Sequence, residues 1–323
     1  MWLSFVLVFL IGFAAHRASL CTVRAVMQWM EQRKSSLLVS FFYASLWASL
    51  ATGLFAWAGV TISGRPVLAS DWLLSVSGGL LFGMGAAVNG GCSLSTLQRL
   101  ADGEIRLFTT LVFFVLGSLV VTWLQSAGTV PWPHVEALWW NVIGPGVRTV
   151  FMLILVVWAV WQLAVLWRCR DRQQRPDQWL LAPRYRLSLA AMVLGLCSGL
   201  LFLLEGAWTY TNYLRELGVS WVTETNAPGW HRLALVTCLF VGMVVSSVQR
   251  GQFEWQGTQS LISWRHMLGG GLMGIGGALV PGGNDTVLLV LMPTLSLQAL
   301  ASFGAMLSGI YGVVKLMKLN SHA

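Results

Sequence analysis

Two cysteines sit where an apolar chain turns polar. Cys21 lies in His16-Arg17-Ala18-Ser19-Leu20-Cys21-Thr22-Val23-Arg24, directly after a short apolar run, and Cys92 closes the turn Asn89-Gly90-Gly91-Cys92, followed by Ser93-Leu94-Ser95-Thr96. Paired glycines let the backbone turn and leave N–H groups free, while the residues after them can start a new helix. Such a helix start offers unpaired donors and a positive dipole end, which together favour an anion. The same field sharpens the Cys92 sulfur as a hydrogen-bonding partner. A third segment, Val280-Pro281-Gly282-Gly283-Asn284-Asp285-Thr286, places a carboxylate between apolar stretches. Acids at membrane depth are costly and usually functional. Capping the next helix is the other role open to Asp285, and the two are compatible. Asn89, Gly90, Gly91, Cys92 and Ser93 in the first glycine turn, Gly282, Gly283, Asn284 and Asp285 in the second, and Cys21 are therefore the candidate site residues.

The elements that must hold these residues repeat. Gly83, Gly85 and Gly91 recur as Gly274, Gly276 and Gly282, each at an offset of 191 residues. Two glycine-interrupted apolar segments in matching places are the sequence pointer to a transport site near the bilayer midplane. The same offset carries the span near Trp2 onto one near Val193, Val39–Ala58 onto 230–249, and Phe108–Leu124 onto 299–315. Four spans thus recur as the last four, with Val150–Trp167 between them. One intervening crossing makes the number of steps odd and reverses the second copy. The expected organisation is a first repeat over 1–125, a linking span and basic cytoplasmic loop over 126–186, and an inverted second repeat over 187–323.

Composition agrees with a lipid setting. The chain is 56% hydrophobic and 10% charged, with 18 tryptophans, against roughly 25% charged residues in a soluble domain. Apolar stretches of about 20 residues can each span, and we read about nine transmembrane helices, with short re-entrant helices where the glycines interrupt them. The fold class is an all-α integral membrane protein. The net charge of +8 does not describe a nucleic-acid binder, because it is spread over alternate loops. Sixteen of the 20 Lys and Arg fall in 15–36, 93–106, 168–186, 249–265 and the tail from Lys315. The positive-inside rule then puts the N-terminus outside and the C-terminus in the cytoplasm, with Arg168–Arg175 as the strongest anchor. Around Cys21, a helix dipping back into the membrane and a basic loop anchored by Arg17 and Arg24 are both open readings. Trp2–Ala15 lacks the basic flank of a signal peptide. Pro131-Trp132-Pro133 and Trp139-Trp140 read as an interfacial aromatic cluster.

Other chemistries find little support. Five cysteines without CxxC spacing form neither a disulfide framework nor a zinc site. Cys197 and Cys238 lie in apolar spans as packing residues, and Cys169 lies in the basic loop. Gly79 and Gly83 suit close helix packing. Gly83-x-Gly85 lacks the preceding strand of a dinucleotide loop. No cofactor and no metal are expected.

With the cysteine motifs in view, the chain resembles the YeeE/YedE family of bacterial inner-membrane sulfur-compound transporters. Arg17-Ala18-Ser19-Leu20-Cys21 matches the family's basic-x-x-x-Cys segment, and Phe82-Gly83-Met84-Gly85 through Gly90-Gly91-Cys92 matches its glycine-rich run. The resemblance covers essentially the whole chain. It implies a transporter, not an enzyme, that passes a small sulfur-containing anion such as thiosulfate through S–H···S hydrogen bonds along a narrow path. It implies Cys21 and Cys92 as contacts on that path and a small cytoplasmic sulfurtransferase as partner. Thiosulfate-transporting members carry a third cysteine in the second glycine run, where this chain has Gly283. Two rival readings are a membrane thiol-redox protein using Cys21 and Cys92 as a pair, and a membrane subunit that recruits a sulfur carrier through the basic loop.

Overall fold

In lipid every backbone polar group must be satisfied within the chain, so long apolar stretches become helices. The computed structural model describes residues 2–60, 66–168, 185–256 and 263–321. Within them the order is α1 (Trp2–Ala18), α2 (Thr22–Gln32), α3 (Ser36–Trp57), α4 (Trp72–Asn89), α5 (Ser93–Ala101) and α6 (Phe108–Ser126). A short α7 (Trp139–Val142) and the long α8 (Pro145–Arg168) follow. Then come α9 (Leu187–Glu205), α10 (Tyr210–Val222), α11 (Trp230–Gln249), α12 (Trp264–Leu279), α13 (Asn284–Thr286), which continues as a π-helical turn over Val287–Leu291, and α14 (Leu297–Ser321). Leu68–Ala69 and His134–Val135 form the strand pair among the described residues, two residues long.

The described residues hold eight helical stretches long and apolar enough to cross a membrane, or nine if α12 and the bent segment Asn284–Leu291 count as one. The protein is an all-helical, multi-pass membrane protein. α2 and α5 are only 11 and 9 residues long. At 1.5 Å per residue they fall well short of a hydrocarbon core about 30 Å thick. Cys169, Arg65, Gln259 and most of the basic run after Arg168 lie outside the described residues.

Glycines set how closely the central helices approach. A Cβ on Gly83 would collide with the Met306 carbonyl, and one on Gly274 with the Phe114 carbonyl. α4 therefore lies directly on α14, and α12 directly on α6. α4 and α12 also meet each other reciprocally. A Cβ on Gly78 would sit 2.9 Å from the Gly276 carbonyl oxygen, and Gly276 faces Gly78 in return. A Cβ on Gly85 would sit 2.7 Å from the Gly269 oxygen, and one on Gly269 2.8 Å from the Gly85 oxygen. Close backbone approach through small residues is the packing device of membrane interiors, where burial from water drives nothing.

Three local expectations change. The apolar stretch Leu187–Leu204 forms α9, the helix matching α1, and it starts six residues ahead of the position near Val193 that the 191-residue offset gives. Trp132 is exposed, as an interfacial residue should be, whereas Trp139 and Trp140 turn inward and pack edge-on, Trp139 also against Phe151 at 4.9 Å. Finally, the helices break at a fourth place, Gly206–Thr209, between α9 and α10.

Candidate functional site

Four helix starts converge near the centre of the molecule. α4 ends at Asn89, and Gly90 takes a left-handed φ of 77° that releases the chain into Gly91 and Cys92. Cys92 is the residue just before α5 and Cys21 the residue just before α2, neither side chain bonding to its helix's free N–H groups. In the second half Gly282, at φ 143°, and Gly283 lead into α13. The fourth start is α10, capped by Thr209, whose hydroxyl accepts from the Asn212 N–H at 3.2 Å.

The two thiols meet. Cys21 and Cys92 are both buried and lie close enough to act on each other electrostatically, and Ser95 stands beside Cys21 in the lining of one cavity. From α5, Gln98 Nε2 donates to the Leu20 carbonyl at 3.3 Å, fastening the helix start that carries Cys21 to the one that carries Cys92. Ser93 Oγ donates to Asn284 Oδ1 at 2.5 Å, joining the first glycine turn to the second through residues 191 apart. Next to Asn284, Asp285 accepts from Thr211 Oγ1 at 2.5 Å and from the Thr211 N–H at 3.4 Å. Thr209 and Thr286 hydroxyls lie 2.6 Å apart, and Thr211 and Thr286 3.1 Å apart.

Asn89 has a different setting from its neighbours. Its amide nitrogen donates to the Gly91 carbonyl and to Thr96 Oγ1, and its oxygen accepts from Thr110 Oγ1 while also facing His266 Nδ1. All four contacts are to protein, so the side chain ties α4, α5, α6 and α12 together. Gly90 has nothing near it that a Cβ would meet, so its turn is its contribution. Gly283 is the reverse. A Cβ there would come 2.7 Å from Thr211 Cγ2 and 2.9 Å from Asp285 Oδ1.

Cavities open at both ends of this chain of contacts. One, of about 270 Å³, is lined by Cys21, Ser95, Arg24, Arg99, Asp102 and Arg250. Three guanidiniums against one carboxylate make it attractive to anions. Its rim is held by His16, which bonds Asp102 Oδ1 and Ser246 Oγ, each at 2.9 Å. Arg17, by contrast, is buried, donating to Gln249 at 2.6 Å and lying 4.7 Å over the Phe13 ring. The second cavity, of about 220 Å³, is lined by Asn212, Arg215, Glu216, Pro281 and Thr286. Among the described residues no group of three or more His, Cys, Asp or Glu could hold a metal ion.

Cys238 donates to the Phe5 carbonyl at 3.2 Å, and Cys197 is buried in α9. The sequence reading missed Thr209, Tyr210 and Thr211. Their signal was the polar run Trp208-Thr209-Tyr210-Thr211-Asn212 after the span from Leu187, where the chain passes from α9 to α10 as it passes from α1 to α2 at Ser19–Cys21.

The sequence pattern of a family described as sulphur transport matches residues 17–312. A protein called thiosulfate transporter TsuA from Spirochaeta thermophila is 25% identical over 245 residues, covering 70% of this chain and 72% of that protein. A thiosulfate transporter TsuA from Escherichia coli is 23% identical over 312 residues, covering 88% of this chain and 86% of that protein.

Proposed function

This chain belongs to the sulphur transport family, and from that premise we propose that it carries a thiosulfate-like anion along a narrow path between the Arg24 and Arg215 cavities. It is a transporter of small sulfur-containing anions, not an enzyme. The observation that carries the finer reading is the meeting of the Cys21 and Cys92 thiols at two helix starts, continued by Ser93 and Asn284. Thiols are soft, weak donors that suit a sulfur atom, and they can hand it on without making a bond to it. Gly90, Gly91, Gly282 and Gly283 shape the two turns; Asp285 lies beside the path, and Asn89 braces it.

We read the two halves as inverted repeats with the path at their interface. Supporting this are the recurring helix order, the reciprocal Gly78–Gly276 and Gly85–Gly269 approaches, and the 191-residue spacing of Ser93 and Asn284. Equivalent residues touch one another at an axis that relates two copies. The distribution of Lys and Arg supports an inner-membrane orientation with the N-terminus periplasmic and the C-terminus cytoplasmic. The Arg24 cavity then faces the cytoplasm, where a sulfurtransferase could take the anion as it leaves.

The test is growth of a host that cannot make reduced sulfur, supplied with thiosulfate as sole sulfur source. Wild-type protein should support growth, and Cys21→Ala and Cys92→Ala should each abolish it. Growth of both variants at the wild-type rate would remove the thiol-lined path. A Cys21–Cys92 disulfide trapped by alkylation during turnover would replace the relay with a redox pair.

A further inference from the structure

We propose that Asp285 carries a proton with each anion, making transport proton-coupled; this rests on the path proposed above. The carboxylate is buried, and its partners are the Thr211 hydroxyl and N–H. Among the described residues no Lys, Arg or His side chain hydrogen-bonds to it. The elements packed around it bring little charge. α1, α9 and α11 present Ile11, Ser198 and Leu239 to the space it shares, and α10 presents Tyr210. On α5, Cys92 lies close enough to Tyr210 to act on it electrostatically. The nearest cavity with charged groups is the one holding Arg215 and Glu216, and Glu216 is engaged by Arg232 at 2.9 Å.

A fixed negative charge with so little compensation is costly at membrane depth and opposes an anion beside it. As a neutral acid the same group opposes nothing and can donate a hydrogen bond. Proton binding and anion passage therefore favour each other, and such coupling is reciprocal.

A route for the proton is built in. Thr286 lines the Arg215 cavity, and its hydroxyl contacts Thr209 at 2.6 Å and Thr211 at 3.1 Å, while Thr211 bonds Asp285. On the other side, Tyr210 Oη and Trp208 Nε1 are buried and have no hydrogen-bond partner among the described residues. Both residues line, with Asp285, a space of about 30 Å³. That is room for a water molecule, which would satisfy both donors and extend the route. The cation we assign is a proton, because the Thr209, Thr286, Thr211 and Asp285 oxygens form a hydrogen-bonded chain that can pass one, and a sodium gradient in the test below separates it from a metal ion. One proton enters the carboxylate from the Arg215 side and leaves with the anion towards the Arg24 side before the next cycle; no covalent bond to the anion forms or breaks.

The test uses the full chain in proteoliposomes, with labelled thiosulfate outside, a pH-sensitive dye inside and the membrane potential clamped. An outside-acid pH gradient should speed uptake at least about fivefold, and thiosulfate entry should acidify the lumen. Asp285→Asn should lower the number of protons entering per anion towards zero, and Asp285→Glu should restore it. If Asp285→Asn does not fold, the wild-type proton-to-anion ratio still decides. Uptake that ignores the pH gradient, leaves the lumen pH unchanged or follows a sodium gradient overturns the coupling and leaves the path intact, provided Cys92→Ala abolishes it. If the folded wild-type protein moves no thiosulfate under any gradient, the transport reading falls and takes the coupling with it.

Discussion

At the first glycine turn the backbone passes through Gly90 and Gly91 and offers Cys92 to Cys21; at the second it passes through Gly282 and Gly283 and offers Asp285 and Thr286 to Thr209 and Thr211. Both turns start a helix within the protein interior, and both face another helix start. What fills them differs. Two polarizable thiols occupy one, and three hydroxyls and a carboxylate occupy the other. The structure gives a steric reason. The Thr211 methyl takes the space that a side chain at 283 would need, so the hydroxyl cluster and a third cysteine exclude each other. A shared backbone device therefore does not impose shared chemistry; the facing helix decides it.

The comparison breaks most completely if the scaffolds are not equivalent. Gly83→Val and Gly274→Val each force a side chain into a backbone carbonyl, of Met306 or Phe114. Neither partner can yield without moving a helix, so both variants should fail to give monodisperse protein in detergent. One variant folding normally while the other fails would show that the halves are packed by different rules. Next in size is Gly283→Cys, which should cost about 1–3 kcal/mol of stability by overpacking. Thr211→Ser removes the closest methyl and should recover part of that loss, a coupling visible in a double-mutant cycle of melting temperatures. Additive effects would mean that the Thr211 methyl does not exclude the side chain. Smaller again is the join between the turns. Ser93→Ala or Asn284→Ala should each cost about 0.5–1.5 kcal/mol, and the double variant little more than the larger single one.

The two turns also differ in how well the sequence announced them. Spans were legible because about 20 apolar residues is a coarse signal that survives any detail of packing, as the match of Phe108–Leu124 to α6 illustrates. The glycine turns were legible because their spacing repeats. The start of α10 was not. Trp208, Tyr210 and Thr211 have the composition of an ordinary membrane-interface segment, and nothing local says that their side chains turn toward Asp285. Asn89 was read by its neighbourhood in sequence, yet its amide is occupied by Gly91, Thr96, Thr110 and His266, contacts from three other helices that no local pattern encodes. Trp139 and Trp140 were placed by residue type, and tertiary packing against Phe151 overrode it.

The last difference lies just past α5 and α13 and yields the smallest effect. Beyond α5, Glu104 accepts from Arg99 at 2.6 Å and from Arg106 at 3.0 Å. The corresponding place after α13 falls at Leu295, which carries no charge. Burial disfavours the charged form of Glu104, but the two guanidiniums outweigh it and hold the carboxyl below its usual range. A carboxyl whose value is depressed on folding contributes stability that is complete above its unfolded value, about 4.3 for Glu, and that is lost as pH falls through its folded value. The pair with Arg106 is half exposed, so the whole contribution should stay within about 1 kcal/mol. Acidification from pH 5.5 to 3.5 should therefore loosen 93–107 more than 284–297, read as faster backbone hydrogen exchange after correction for the intrinsic pH dependence. Glu104→Gln should remove that asymmetry and leave the exchange of 284–297 as it was. Equal loosening of both segments in wild type would mean that the thiol turn has no electrostatic tether of its own, and that the two turns differ only in what they present to the path.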